Sequence, residues 1–256
     1  MNREAKEPKE TFITRLKKIP LVGWLAGFIS VAIEFSLYEL AMLINSAPAT
    51  AARAVPPKID SIDDLIPFIP AFIFGYVFSY PFWIAAPVLT SIPGKRNSWN
   101  YLFSVAVSAV IGMIMLVLLP TSMDRAAEGV LRAANEPGFT GWALHLIIYC
   151  DGGVEGRNLL PSFHCMMSVS VWLGVAFRKE IKLGWRLFVF AGMLTICAST
   201  VLVKQHYFID AVAGMGLGLG SWALAAALDP GSAIEERLSR RKKKTSSGDD
   251  AEKSNG

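Results

Sequence analysis

Six apolar stretches dominate the chain, each roughly the twenty residues a helix needs to cross a bilayer. They lie at about 19–44, 65–90, 101–119, 162–177, 184–203 and 207–228. They are too long and too continuous for barrel strands, which alternate over about ten residues. The fold expected is therefore an all-α integral membrane protein, a six-transmembrane-helix bundle. Composition agrees, with 53% of residues hydrophobic and 18% charged, too few polar groups to cover a water-exposed surface. That hydrophobicity also excludes a disordered chain, and only 3 cysteines exclude a disulfide-rich secreted scaffold. The second stretch carries Pro70, Pro81 and Pro87 and is expected to kink or break. The fourth is short and gains length if its helix opens at Pro161.

Positive charge gives the expected orientation. The N-tail, the loop near 95, the loop near 180 and the C-tail share one side of a six-span bundle and hold 19 of the 25 Lys and Arg residues. By the positive-inside rule both termini are expected in the cytoplasm, so the second, fourth and sixth helices open on the extracytoplasmic side. The net charge of +4 sits in tails and loops and is a topology signal, so no nucleic-acid partner is expected. The division expected is a cytoplasmic N-tail over 1–18, a catalytic membrane domain over 19–230, and a basic, polar, disordered cytoplasmic tail over 231–256. The run "RLSRRKKK" in that tail suits contact with anionic lipid. Glu34 and Glu39 interrupt the first apolar stretch, which favours an uncleaved anchor over a signal peptide.

Of the 3 histidines, two stand at the mouths of expected spans on the outer side. His206 and Asp210 are four apart, on one face if a helix opens there. A carboxylate can take the proton of one ring nitrogen and leave the other as base or nucleophile. Lys204, two residues upstream, can hold an anion near the same ring. Read alone, the pair could equally be an interfacial anchor of the helix. The second mouth shifts that balance. Pro161 and Ser162 open the fourth stretch, so its first backbone N–H groups form a ready site for a phosphate oxygen. Ser162 can add a hydroxyl and His164 a proton to a leaving group, although Ser162 also reads as an ordinary cap and His164 as an interfacial polar residue.

With those residues in place, "NLLPSFH" resembles the Pro-Ser-x-His motif of the phosphatidic-acid phosphatase type 2 / vanadium haloperoxidase superfamily. "STVLVKQHYFIDAVAG" is similar to its Ser-Arg-x5-His-x3-Asp motif, with Ser199, His206 and Asp210 at the family spacing. The wording around His206, with Asp151 and Asn158, looks most like the branch of inositol phosphorylceramide synthase-like lipid phosphotransferases. The resemblance covers about residues 60–220. It implies a two-step phosphoryl transfer without metal or cofactor: His206 attacks phosphorus, Asp210 orients it, and His164 serves as acid and then base. It further implies that Ser162, Lys204 and Arg125 bind phosphate oxygens, with Asp151 and Asn158 as accessory residues; Arg157, in the same loop, is a further accessory candidate from its charge alone. Two departures stand out. Thr200 replaces the family's arginine, and Leu118 and Ala126 replace the lysine and proline that flank Arg125 in the first motif.

The function expected is a membrane lipid phosphatase acting on a lipid phosphate or pyrophosphate at the outer leaflet. The alternatives are a phosphotransferase that moves a phospho-headgroup to a lipid hydroxyl, a proton-coupled transporter or flippase using His206, Asp210 and Glu34, and a member that binds lipid phosphate without turnover. His145 is expected on the surface of an amphipathic helix over the site. Gly214, Gly216, Gly218 and Gly220 read as a small-residue face for close helix packing.

Overall fold

Residues 20–150, 153 and 155–241 are described by the computed structural model, which is mainly helical. Seven helices organise the chain: α1 (Leu21–Asn45), α2 (Ile73–Ala85), α3 (Lys95–Leu118), α4 (Phe139–Cys150), α5 (Phe163–Ala176), α6 (Leu183–Leu202) and α7 (Phe208–Leu228). Among the described residues, five helical segments are long and apolar enough to cross a membrane: α1, Pro70–Ser91, α3, α6 and α7.

The proline-bearing second stretch is indeed broken. A 3₁₀ turn over Pro70–Phe72 leads into α2, which carries Pro81 inside it, and a second 3₁₀ segment follows over Ala86–Ser91. Each proline removes a backbone donor, and the tighter winding accommodates the gap.

The fourth stretch departs from a standard span. Its helix α5 has 14 residues and starts after Ser162 rather than at Pro161. Nearly every residue of α5 is buried, because it packs against α2, α3, α6 and α7 together. A helix walled by protein need not match the bilayer thickness that lipid-facing helices must. Two glycines allow its closest approach. A Cβ on Gly214 would meet the Ser162 carbonyl oxygen at 2.2 Å, and one on Gly218 would meet the Met166 carbonyl oxygen at 2.8 Å. Gly216 and Gly220 have open space beside them, so only half of the expected small-residue face makes the contact.

Hydrogen bonds and an ion pair between ends show that the long helices alternate in direction. At one end, Asn45 Nδ2 closes α1 by donating to the Leu116 carbonyl of α3 at 2.9 Å. There too, the Ile69 N–H before α2 donates to Leu202 at the end of α6, at 2.8 Å. At the other end, Asn97 Nδ2 in α3 donates to Gly174 O of α5 at 2.9 Å. Arg96 pairs with Asp229, just past α7, at 2.6 Å. The first end therefore collects the starts of α2, α5 and α7 and the ends of α1, α3 and α6.

That end is covered by α4 and by a short antiparallel ribbon of β1 (Ser122–Asp124) and β2 (Glu155–Arg157). His145 lies exposed on α4, while Leu144, Ile147 and Ile148 are buried beneath it, which is the amphipathic cover expected. The chain does not become irregular after α7. Residues 230–241 form a further helix, with Pro230 at its start, where a proline costs nothing, and an Arg240–Glu236 pair one turn apart at 2.6 Å. The rest of the tail, 242–256, and the N-tail through residue 19 lie outside the described residues.

Candidate active site

The loop between α6 and α7 carries His206. Helix α6 stops at Leu202, and the Thr200 carbonyl accepts from both the Gln205 and His206 N–H groups at 3.0 Å. Lys204 takes a left-handed turn, φ 51°, and reverses the chain. His206 therefore stands outside the helix rather than on its first turn, with Tyr207 as the N-cap of α7.

This placement changes what Asp210 does. Its Oδ2 accepts the Tyr207 N–H at 2.8 Å and so serves the start of α7. The same oxygen is 3.7 Å from His206 Nδ1, beyond hydrogen-bond length. Nδ1 lies instead 3.0 Å from the Leu159 carbonyl oxygen. A carbonyl only accepts, so Nδ1 carries the proton, and in the neutral ring the lone pair falls on Nε2. Leu159 is itself positioned by its N–H, which donates to Thr121 Oγ1 at 2.9 Å.

His164 enters from the first turn of α5. Its ring stacks on Tyr76 with centroids 4.1 Å apart and lies 4.9 Å from Trp83 and 6.1 Å from Tyr80. Tyr76, Tyr80 and Trp83 follow at i, i+4 and i+7 on α2, one helical face. Trp83 is fixed by its indole N–H, which donates to Ser168 Oγ of α5 at 3.0 Å. The His164 and His206 ring centroids are 6.2 Å apart, and both rings line one cavity of about 80 Å³. Buried His164 Nε2 has no hydrogen-bond partner among the described residues.

Ser162 is the N-cap of α5. Its Oγ accepts the Cys165 N–H at 3.5 Å, and its own N–H donates to the Asp210 carbonyl at 2.9 Å. The two motifs are thus bonded together through their backbones. Lys204 is buried, with Nζ donating to the Asp63 carbonyl at 2.9 Å and standing 3.8 Å from Glu128. Arg125 is wholly buried behind the same loop, where Nη2 donates to Gln205 Oε1 at 2.9 Å and Nη1 to Gly153 O. Both cations therefore sit beside the histidine loop but are not among the residues that line the cavity.

The accessory residues are more distant in role. Asn158, also left-handed, accepts from Asn45 Nδ2 at 2.6 Å, and Arg157 reaches the Asn45 carbonyl at 3.4 Å. Both tie the loop before α5 to the end of α1. Asp151 lies outside the described residues.

Outside the helices, Glu128 gathers Lys58 at 3.2 Å, Lys204, and the Tyr207 hydroxyl at 3.4 Å, while Lys58 also pairs with Asp64 at 2.8 Å. The bond to Asp64, ahead of that to Glu128, holds the Lys58 ammonium above its ordinary range. Burial, and then the charge of Glu128, push the Tyr207 phenol up. Asp63 adds two bonds, accepting the Ile59 N–H at 2.7 Å and the Phe208 N–H at 2.8 Å. Leu159 and Gln205 lie inside the two motif stretches at positions to which the motifs assign no role, and Glu128 and Asp63 lie outside both stretches. Of the residues missed, only the Tyr76, Tyr80 and Trp83 spacing was visible in advance, as a helical stripe.

Among the described residues no group of three or more His, Cys, Asp or Glu side chains is placed to hold a metal ion. The 3 cysteines are free. No curated protein and no solved structure matches the chain. Residues 68–224 match the family model of the PAP2 superfamily, a stretch that runs from just before α2 into α7 and holds both histidines. The chain belongs to the PAP2 superfamily.

Proposed function

We propose that this protein is a membrane enzyme that hydrolyses a lipid phosphate or pyrophosphate through a phosphohistidine on His206. The observation that carries the reading is the pair of histidines, 6.2 Å apart, on one cavity. His206 Nε2 attacks phosphorus, because the Leu159 carbonyl keeps the proton on Nδ1. The P–O bond to the leaving group breaks as the N–P bond forms, and His164, entering the step as imidazolium once the phosphate's negative charge is bound beside it, gives the departing oxygen a proton and is left neutral. Water then attacks the phosphohistidine with His164 as base, and phosphate leaves. Arg125 and Lys204 act as fixed positive charge behind the loop, offsetting the charge of the transition state.

This route assigns no step to a metal ion: His206 supplies the nucleophile, and Arg125 and Lys204 the positive charge. The site end of the bundle lies opposite the cation-rich loops near 95 and 180, which supports an extracytoplasmic site. The apolar, aromatic walls of the cavity also suit a lipid alcohol as acceptor, so transfer to a lipid hydroxyl is the second reading.

The test is phosphate release by detergent-purified protein, in EDTA, from phosphatidate and from an isoprenyl pyrophosphate. Wild type should release phosphate, and His206→Ala should lower the rate about a thousandfold or more. Release that survives in the variant overturns the nucleophile. Loss of wild-type release on adding EDTA overturns the metal-free route. Phosphoryl transfer to a lipid alcohol without release selects the second reading.

A further inference from the structure

Glu34 sits in the middle of α1, 3% exposed, and neither of its carboxylate oxygens has a hydrogen-bond partner among the described residues. It lines the same cavity as His164 and His206. The other walls include the rings of Phe35, Tyr38, Tyr76, Tyr80 and Trp83, with Glu39 as a second acid. No lysine or arginine is among the lining residues.

A carboxylate in apolar surroundings is costly unless something pairs with it. The helix could have placed an apolar residue there at no such cost. Unpaired, the buried group holds a proton instead, and a bare lipid phosphate could take a hydrogen bond from it but gives the aromatic faces nothing to attract. A cation meets the cost of the charge, and aromatic faces attract the same cation through their ring quadrupoles. A hydroxyl could donate one bond, but it leaves the charge and the rings uncompensated.

We propose that Glu34 and the surrounding aromatic rings form a subsite for an ammonium group carried by the head of the lipid substrate. The proposal rests on the second reading above, with phosphorus at the two histidines: the P–O bond to diacylglycerol breaks as His206 takes the phospho-headgroup, and a lipid hydroxyl then receives it. The subsite then lies on the α1 side of the phosphorus and selects zwitterionic phospholipids over phosphatidate.

The experiment measures binding, so it does not depend on turnover. His206→Ala protein, full length and in detergent, is titrated calorimetrically with short-chain phosphatidylethanolamine, phosphatidylglycerol and phosphatidate. The amine lipid should bind about tenfold tighter than the other two, and Glu34→Gln should remove that advantage, about one desolvated cation contact. Phosphatidate binding should be unchanged or tighter in Glu34→Gln, which also shows that the variant is folded. Glu34→Asp, which keeps the charge, should retain part of the preference. Equal binding of the three lipids, equal loss of all three in Glu34→Gln, or a Glu34-dependent preference for the glycerol head would each overturn the proposal. A histidine mechanism that fails in the phosphate-release assay leaves this binding result standing, so the two failures are distinguishable.

Discussion

His206 and Leu159 are joined across 47 residues of sequence by a 3.0 Å contact between Nδ1 and the main-chain oxygen. A backbone acceptor cannot be removed by a side-chain substitution and does not titrate, so the tautomer is set by the fold itself. The Asp210 carboxyl oxygen four residues on is 3.7 Å from the same nitrogen, too far to hold its proton. Asp210→Asn retains an oxygen to accept the Tyr207 N–H, so the protein should fold. Turnover should fall by about a hundredfold, short of the loss in His206→Ala. Steady-state kinetics of the two variants side by side checks this, and equal losses would show that the carboxylate takes over Nδ1 during reaction.

The proposed mechanism gives His164 two separable duties, stacking on Tyr76 at 4.1 Å and proton transfer through a ring that lines the cavity. Phenylalanine preserves the first and abolishes the second. His164→Phe should keep its melting temperature in detergent while losing a factor of about 10² to 10⁴ in kcat. A large drop in melting temperature with activity retained would reverse the assignment.

Gly214 and Gly216 are two residues apart on α7 and make opposite predictions. A methyl group on Gly214 would strike the Ser162 carbonyl, whereas one on Gly216 meets nothing within 4 Å. Gly214→Ala should destabilise by about 1–3 kcal/mol and impair turnover, because the two histidine segments move apart. Gly216→Ala should do neither. Thermal melting and phosphate release on both variants decide the matter.

Asp229 locks the start of α3 to the end of α7, accepting from Arg96 Nε at 2.9 Å and Asn100 Nδ2 at 3.0 Å. The bond to Arg96 in particular holds its carboxyl well below the usual carboxylate range. A pKa lowered by folding means stability that is full above the unfolded value of about 3.9 and fades as pH falls through the folded one. Asp229→Asn should therefore melt lower than wild type at pH 7, with the gap closing progressively below about pH 4. A gap independent of pH would show that the contact matters only through its shape.

Much of this organisation was legible in the chain. Apolar stretches announced the long helices, prolines announced the broken one, and the motifs around His164 and His206 pointed to the candidate site, where the two rings line one cavity. What escaped was contact between distant segments. Lys204 reads as a phosphate ligand because it is two residues from His206, yet its left-handed backbone turns it towards Asp63 and Glu128. Glu128 and Asp63 belong to no motif, and they meet the histidine loop only once α2, α6 and α7 have packed. His206 and Asp210 would share a face in a continuous helix, but the start of α7 at Phe208 places them on either side of a cap.

The brevity of α5 has a consequence for where chemistry happens. Fourteen residues give about 21 Å of helix against about 30 Å of hydrocarbon. The shortfall of about 9 Å falls at its two ends, and His164, the second residue of the helix, stands at one of them. On the proposed function a lipid phosphate would have to leave the plane of its neighbours to reach that end, along the aromatic walls of the cavity. Turnover in vesicles of thin bilayers should then exceed that in thick ones, with no change in the catalytic groups.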